Sequence, residues 1–178
     1  MAVDHSIVQF ERSTSQHSDV FTFLGDHVNE VQELSISDGL VNDEQVMELD
    51  DFLKIRYADL RLRRLALRNN SLTSRSSGSL ASIVQNAQGL EELDVSDNQV
   101  KADGLSQIKY TLCLPSCTLS QLDLSNNKLG SAGAAHIASI LKENRSITEL
   151  LIGKNDFGKR SMKALSECLL VNPVLKKL

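Results

Sequence analysis

Residues 119–129, with the sequence LSQLDLSNNKL, carry a pattern of apolar residues and one asparagine that recurs along the chain. Three other stretches repeat the spacing in full, and a fourth has Gly39 at the asparagine position. The matching positions outside 119–129 are Val31, Leu34, Ile36 and Val41; Leu62, Leu65, Leu67, Asn70 and Leu72; Leu90, Leu93, Val95, Asn98 and Val100; and Ile147, Leu150, Ile152, Asn155 and Phe157. The matches begin at residues 31, 62, 90, 119, 147 and 175, which are 28 to 31 residues apart. A fixed period of this length is typical of a solenoid of stacked repeats.

Each unit also has a second half with helical spacing. Apolar residues four positions apart share one face of a helix. Such pairs follow every strand-like segment: Leu49 and Leu53; Leu80 and Val84; Ile108 and Leu112; Ile137 and Leu141; and Leu165 and Leu169. The sequence therefore predicts units that run strand, loop, helix.

With its long period and the segment GSAGAAHIA from Gly130, the chain resembles leucine-rich repeat proteins of the ribonuclease-inhibitor-like class. The resemblance covers residues 31–178, as five units and the start of a sixth. It implies an α/β leucine-rich repeat solenoid, a curved right-handed βα superhelix. The parallel sheet lies on the concave face of such a solenoid and the helices on the convex face.

The two ends depart from the repeat pattern. Residues 1–30 are predicted to form an N-terminal tail and a capping helix, with Ser18 as N-cap and an apolar face that covers the first repeat. At the other end, Leu175 and Leu178 begin a unit that has no asparagine, loop or helix. We expect either that the chain belongs to a longer solenoid or that another molecule covers this end, including a second copy through self-association.

Composition excludes several classes of protein. A formal net charge of −4 argues against a general nucleic-acid binder, which needs clustered Lys and Arg. Because no run of apolar residues is long enough for a membrane span, we expect no membrane segment. The first residues also lack the pattern of a secretory signal. Together with three cysteines, an odd number without paired spacing, this predicts a cytoplasmic protein.

No set of residues in the sequence points to catalysis, a metal or a cofactor. The four histidines, at positions 5, 17, 27 and 136, are scattered, and HExxH, CxxC and GxSxG motifs are absent. The segment GKNDFGKRS from Gly153 approaches a phosphate-binding loop, but Arg160 occupies the position of the hydroxyl that would hold magnesium. Cys113 and Cys117 have no further metal ligands nearby in sequence. We therefore predict that the chain is not an enzyme.

The repeated asparagines are assigned a structural role on the strength of the resemblance. Each lies where the chain turns inward after a strand, and an inward amide is tolerable only if it is hydrogen-bonded. In the family this asparagine binds backbone groups of its own and the neighbouring repeat. The predicted ladder consists of Asn70, Asn98, Asn127 and Asn155.

The outward positions of successive strands form three rows. The first row is Glu33, Arg64, Glu92, Gln121, Glu149 and Lys177, where charges mostly alternate and can pair. The third is Ser37, Arg68, Ser96, Ser125 and Gly153, and the middle row is Ser35, Ala66, Asp94, Asp123 and Leu151. In the middle row the two aspartates are expected about 4.8 Å apart with no cation between them, and Asp97 beside them.

Two interpretations of these charges stay open. Water and salt can screen the aspartates, with Leu151 simply an exposed leucine. Alternatively, this surface binds a partner through a Lys or Arg flanked by an apolar side chain. The predicted partner-binding residues are Arg64, Arg68, Glu92, Asp94, Asp97, Asp123 and Leu151.

The predicted function is a non-catalytic protein–protein interaction module that binds a protein partner on its concave face, because a rigid curved surface offers a large binding area. Two alternatives also follow from the resemblance. One is a regulatory domain resembling the leucine-rich GTPase-activating proteins of the Ran system. The other is an actin-binding cap similar to the tropomodulin repeat domain.

Overall fold

Six strands alternate with six helices in the computed structural model, which describes residues 5–178. The strands are β1 (Ile7–Glu11), β2 (Glu33–Ser37), β3 (Arg64–Ala66), β4 (Glu92–Asp94), β5 (Gln121–Asp123) and β6 (Glu149–Leu151). The helices are α1 (His17–His27), α2 (Asp43–Lys54), α3 (Ser77–Asn86), α4 (Lys101–Leu112), α5 (Gly130–Glu143) and α6 (Lys159–Leu169). Among the described residues, no helix combines the length and the apolar character that crossing a membrane requires.

The sheet is parallel throughout, and its strand order is the order of the chain. The central leucine of each repeat strand is aligned with that of the next and is buried in the core, which places Leu34, Leu65, Leu93, Leu122 and Leu150 in one column. Apolar residues of the helices complete the same core, and from α2 onwards each helix packs on its neighbour. The predicted α/β leucine-rich repeat solenoid is confirmed. We call the side of the sheet that faces away from the helices the concave face.

The N-terminal segment contains a strand that the sequence analysis did not predict. Residues 7–11 form β1, which pairs in parallel with β2 and buries Phe10. Helix α1 begins one residue before the predicted N-cap, and Gln16 lies at the cap position, where its backbone N–H donates to Asp19 at 2.6 Å. The first part of residues 1–30, predicted as a tail, therefore adds a strand to the sheet, and residues 1–4 lie outside the described part.

The four ladder asparagines are buried, each with no more than 3% of its surface exposed. Their amide groups donate to backbone carbonyls of two adjacent repeats, as Asn98 does to Leu67 and Val95 at 2.9 Å each. Their carbonyl oxygens accept backbone N–H groups of the preceding repeat, as Asn98 does from Asn70 and Leu72 at 2.9 Å each. These bonds satisfy backbone groups in loops that have no sheet partner, which supports the predicted structural role.

A buried carboxylate connects α2 to the elements that follow it. Asp50, 3% exposed, accepts hydrogen bonds from the hydroxyls of Tyr57 and Ser82 at 2.8 Å each, and Lys54 lies 3.1 Å away. Burial and the nearby carboxylate raise the pKa of Tyr57 far above its ordinary value, so the hydroxyl stays protonated and donates. This network joins one repeat to the next behind the core.

Replacing Tyr57 by phenylalanine is expected to lower the free energy of unfolding by about 1 kcal/mol, because Asp50 loses one of its donors while the ring is kept. Chemical denaturation followed by circular dichroism measures the change. Tyr110→Phe is the matched control, since Tyr110 is 71% exposed and its loss of a hydroxyl should cost less than about 0.5 kcal/mol. Equal midpoints for the two variants would contradict the role of the Tyr57 hydroxyl.

Candidate protein-interaction surface

Strand register brings the predicted partner-binding residues to one surface. The strand pairing has the register predicted for the first and middle rows: Arg64 is aligned with Glu92, Asp94 with Asp123, and Asp123 with Leu151. Two shallow depressions lie over the sheet and share Arg64 and Asp94. All seven predicted partner-binding residues line one or both of them.

Every basic residue in these rows is engaged in an ion pair. Arg64 lies 3.3 Å from Glu92 across neighbouring strands, and Arg68 lies 2.9 Å from Asp97 across neighbouring loops. Lys177 forms the third pair, with Glu149, which agrees with the alternating charges predicted for the first row. Such exposed pairs contribute little to stability, but they neutralise these three cations.

Five carboxylates of this surface have no ion pair within residues 5–178: Glu11, Glu33, Asp38, Asp94 and Asp123. Burial raises the pKa of Glu92, Arg64 opposes the shift, and the carboxylates of Asp94, Glu33 and Glu149 add to it. The concave face therefore carries an excess of negative charge.

Asp94 and Asp123 are held by a local hydrogen bond that the sequence analysis missed. In each, Oδ1 accepts the backbone N–H two residues further on, from Ser96 and Ser125, at 2.8 Å. Aspartate commonly forms this turn, so its side chain helps to end each strand. The second carboxylate oxygen of each residue has no hydrogen-bond partner within the part of the chain described and is free to accept from a bound molecule.

Asp97 has a different environment from the one predicted. It lines the same depression as Asp94, but its carboxylate accepts from Asn126 Nδ2 at 2.8 Å and from Arg68 Nε at 2.9 Å. The Asn126 bond, with a smaller contribution from Arg68, lowers the pKa of Asp97. Asp97 is therefore a fixed, paired group and not a free anion beside the two aspartates.

A row of loop residues next to the asparagine ladder was not predicted as part of this surface. Asn69 donates to Asp38 at 2.9 Å, as Asn126 does to Asp97, so these side chains join adjacent loops. All of them have positive φ, which asparagine and aspartate tolerate better than most residues. Each of these residues stands one position before the ladder position of its repeat, so the repeat spacing could have predicted that they form a row.

Leu151 places apolar surface directly beside the acidic residues. It is aligned with Asp123 in the sheet and borders a shallow groove formed with Ile152, Phe157 and Met162. Met162 is 48% exposed. An apolar groove thus adjoins the acidic residues Asp94 and Asp123.

Outside this face, two histidines lie close together. The histidines predicted to be scattered include His5 and His27, whose rings lie 3.9 Å apart, so the prediction was wrong for this pair. Asn155, inside the segment that approaches a phosphate-binding loop, is 2% exposed and donates to three backbone carbonyls. That residue belongs to the repeat framework.

Comparisons with known proteins agree with this architecture. The family model described as Leucine Rich repeat matches residues 88–109 and 116–138. Ribonuclease inhibitor of Sus scrofa is 33% identical over 109 residues, which are 61% of this chain and 24% of that protein. NACHT, LRR and PYD domains-containing protein 12 of Mus musculus is 36% identical over 115 residues, 65% of this chain and 11% of that protein. The chain thus spans a quarter or less of the length of these relatives.

Two solved structures share the fold over most of their length. The tropomodulin C-terminal domain of Caenorhabditis elegans has a TM-score of 0.66 and 17% identity, with 89% of this chain and 93% of that one covered. The leiomodin-1 actin-binding site 2 has a TM-score of 0.69 and 16% identity, with 89% and 90% covered. The chain is a leucine-rich repeat protein of the ribonuclease-inhibitor-like class.

Proposed function

We propose that the chain is a non-catalytic protein-interaction module and that a protein partner binds its concave face. The observation that carries the proposal is the charge of that face. The three basic residues of its rows, Arg64, Arg68 and Lys177, are already paired, whereas Asp94 and Asp123 have no ion pair within residues 5–178. Like charges on adjacent strands disfavour folding, and a bound cation relieves that repulsion.

The partner that fits has a Lys or Arg next to an apolar side chain. The basic group would lie over the two aspartates, each of which has an oxygen without a hydrogen-bond partner among residues 5–178. The neighbouring apolar side chain would contact Leu151 and the groove beside it. Charge complementarity of this kind sets specificity and association rate, while buried apolar contacts contribute most of the affinity.

Capture of proteins from a lysate of the source cells tests the proposal when it is done with matched variants. The double variant Asp94→Asn/Asp123→Asn, called the floor variant below, removes two charges from the concave face. The control Glu48→Gln/Asp103→Asn removes two charges from exposed positions on α2 and α4. A partner of the concave face is retained by the wild type and the control and is lost by the floor variant. If every captured protein binds all three chains equally, the proposal that a partner binds the concave face is wrong.

Actin binding is the second candidate. One structural neighbour is the leiomodin-1 actin-binding site 2, and this chain matches 90% of it. Identity of 16% shows the fold alone, so the candidate is tested directly by co-sedimentation with actin filaments. Pelleting of the wild type and the control, but not of the floor variant, would place actin on the same face; no pelleting removes the candidate.

The remaining predictions have separate tests. To test the alternative of a GTPase-activating domain, the chain is added to small GTPases and their rate of GTP hydrolysis is measured. Light scattering over a concentration series examines self-association near Leu178, which is 47% exposed. The proposed location is the cytoplasm, which suits three cysteines that form no disulfide.

A further inference from the structure

Two histidines and a glutamate meet where the chain enters β1, on the side of helix α1. His5 precedes the strand, His27 ends the helix, and Glu30 lies in the turn that follows. The strand pairing of residues 7–11 with β2 brings His5 to this place, 22 residues before His27 in the sequence. One ligand atom from each of the three side chains lies within 4.8 Å of the other two.

A ring nitrogen of each histidine lies close to the carboxylate of Glu30. His5 Nδ1 lies 3.2 Å from Glu30 Oε2, and His27 Nδ1 lies 3.7 Å from Glu30 Oε1. A tetrahedral zinc ion with bonds of about 2.0–2.1 Å holds its ligand atoms roughly 3.3 Å apart. The two distances end on different oxygens of Glu30, so the three ligand atoms, which lie within 4.8 Å of one another, move closer together when they bind one ion.

His27 has a buried nitrogen that nothing in the described chain satisfies. Its Nδ1 is shielded from solvent and has no hydrogen-bond partner, since Glu30 Oε1 at 3.7 Å is too distant. Buried polar atoms are almost always hydrogen-bonded. This nitrogen lies beside a carboxylate and a second imidazole, so we expect a ligand to bind it. A metal ion bound between these groups would satisfy it.

The surrounding contacts hold the two rings in place. Phe23, one turn before His27 on α1, packs edge-on against His5 at 5.4 Å between centroids and lies 4.7 Å from the His27 ring. The backbone N–H of Glu30 donates to the carbonyl of His27 at 2.8 Å, which fixes the turn between these two ligands. The site is thus built on packed and hydrogen-bonded groups.

We propose that His5, His27 and Glu30 bind a zinc ion, in a site that is independent of the concave face. Two imidazoles and one carboxylate are a common zinc donor set, and magnesium and calcium prefer oxygen ligands. Three protein ligands leave a coordination position for water. The ion joins the residues before β1 to the end of α1, so it stabilises the N-terminal cap of the solenoid.

Calorimetric titration of the full chain with zinc chloride, and thermal unfolding with and without zinc, test the site. We expect one bound ion per chain, a higher melting temperature with zinc, and no effect of magnesium. His27→Ala and Glu30→Gln should each weaken zinc binding at least tenfold. His17→Ala, an exposed histidine in the first turn of the same helix, should bind as the wild type does.

Cobalt(II) provides a readout of the ligands that does not depend on stability. Bound to this site it should show the visible absorption of a tetrahedral ion, which Glu30→Gln changes and His17→Ala does not. Circular dichroism of each variant confirms that it is folded. Zinc binding that survives in His27→Ala and Glu30→Gln but is lost in Cys113→Ser/Cys117→Ser would overturn the proposal, as would the absence of zinc binding by the wild type.

Discussion

Replacing Asn127 by alanine is expected to lower the free energy of unfolding by about 1–3 kcal/mol, because backbone groups of two repeats lose a partner inside the core. Asn127 is fully buried. Its Nδ2 donates to the carbonyls of Val95 at 2.9 Å, Leu124 at 3.2 Å and Ser125 at 3.1 Å, and its Oδ1 accepts the N–H of Val100 at 3.1 Å. Urea denaturation followed by circular dichroism measures the loss.

A suitable control removes an asparagine amide that is exposed. Asn86 lies at the end of α3 and donates only within its own helix, so Asn86→Ala should cost less than about 0.5 kcal/mol. Asn126, next to the ladder, is less suitable, because its φ of 52° disfavours alanine and its amide holds Asp97. A denaturation midpoint for Asn127→Ala equal to that of Asn86→Ala would refute the structural assignment.

The repeat spacing predicted the fold because each layer of the core obeys the same geometric rule. Leucines two apart in a strand, such as Leu122 and Leu124, must point to the same side of the sheet, and both are buried. One matched unit therefore predicts the next, including which residues pair across strands. The register of Asp94 with Asp123 followed from that alignment alone.

Strand β1 was not predicted because its sequence departs from the repeat pattern. Val8 and Phe10 point inward, but there are no leucines at the template positions and no asparagine follows. Ile7, which an apolar pattern would place in the core, points outward and is 61% exposed. Pairing with β2, which is a long-range contact, determines this strand.

The site was predicted as a surface and not as a set of contacts. Alternation along the strands shows which side chains face outward, but the partner of each charge depends on side-chain conformation. Hence Arg68 could be placed in a row while its pairing with Asp97 could not be foreseen. The turn made by Asp94 with Ser96 is local, and its spacing of two residues was readable in the sequence.

Removing the charges of Asp94 and Asp123 is expected to weaken binding of the partner more than tenfold, which is about 1.4 kcal/mol or more. Asparagine is the replacement of choice. Its side-chain oxygen can still accept the backbone N–H groups of Ser96 and Ser125, so both strand ends keep their turns. Lysine would reverse the charge but has no acceptor, and it would confuse lost binding with a damaged loop.

Titration calorimetry of the captured partner at two salt concentrations separates the charge effect from other losses. Because exposed charges are screened by salt, wild-type affinity should fall as salt is raised from about 0.05 to 0.5 M, whereas that of Asp94→Asn/Asp123→Asn should change much less. The stability of the double variant should equal or exceed that of the wild type, since two adjacent like charges are removed. The control Glu48→Gln/Asp103→Asn has the same net charge and should keep the salt dependence of the wild type. If the floor variant and this control lose affinity equally, the overall charge of the protein attracts the partner, and the concave aspartates are not its binding site.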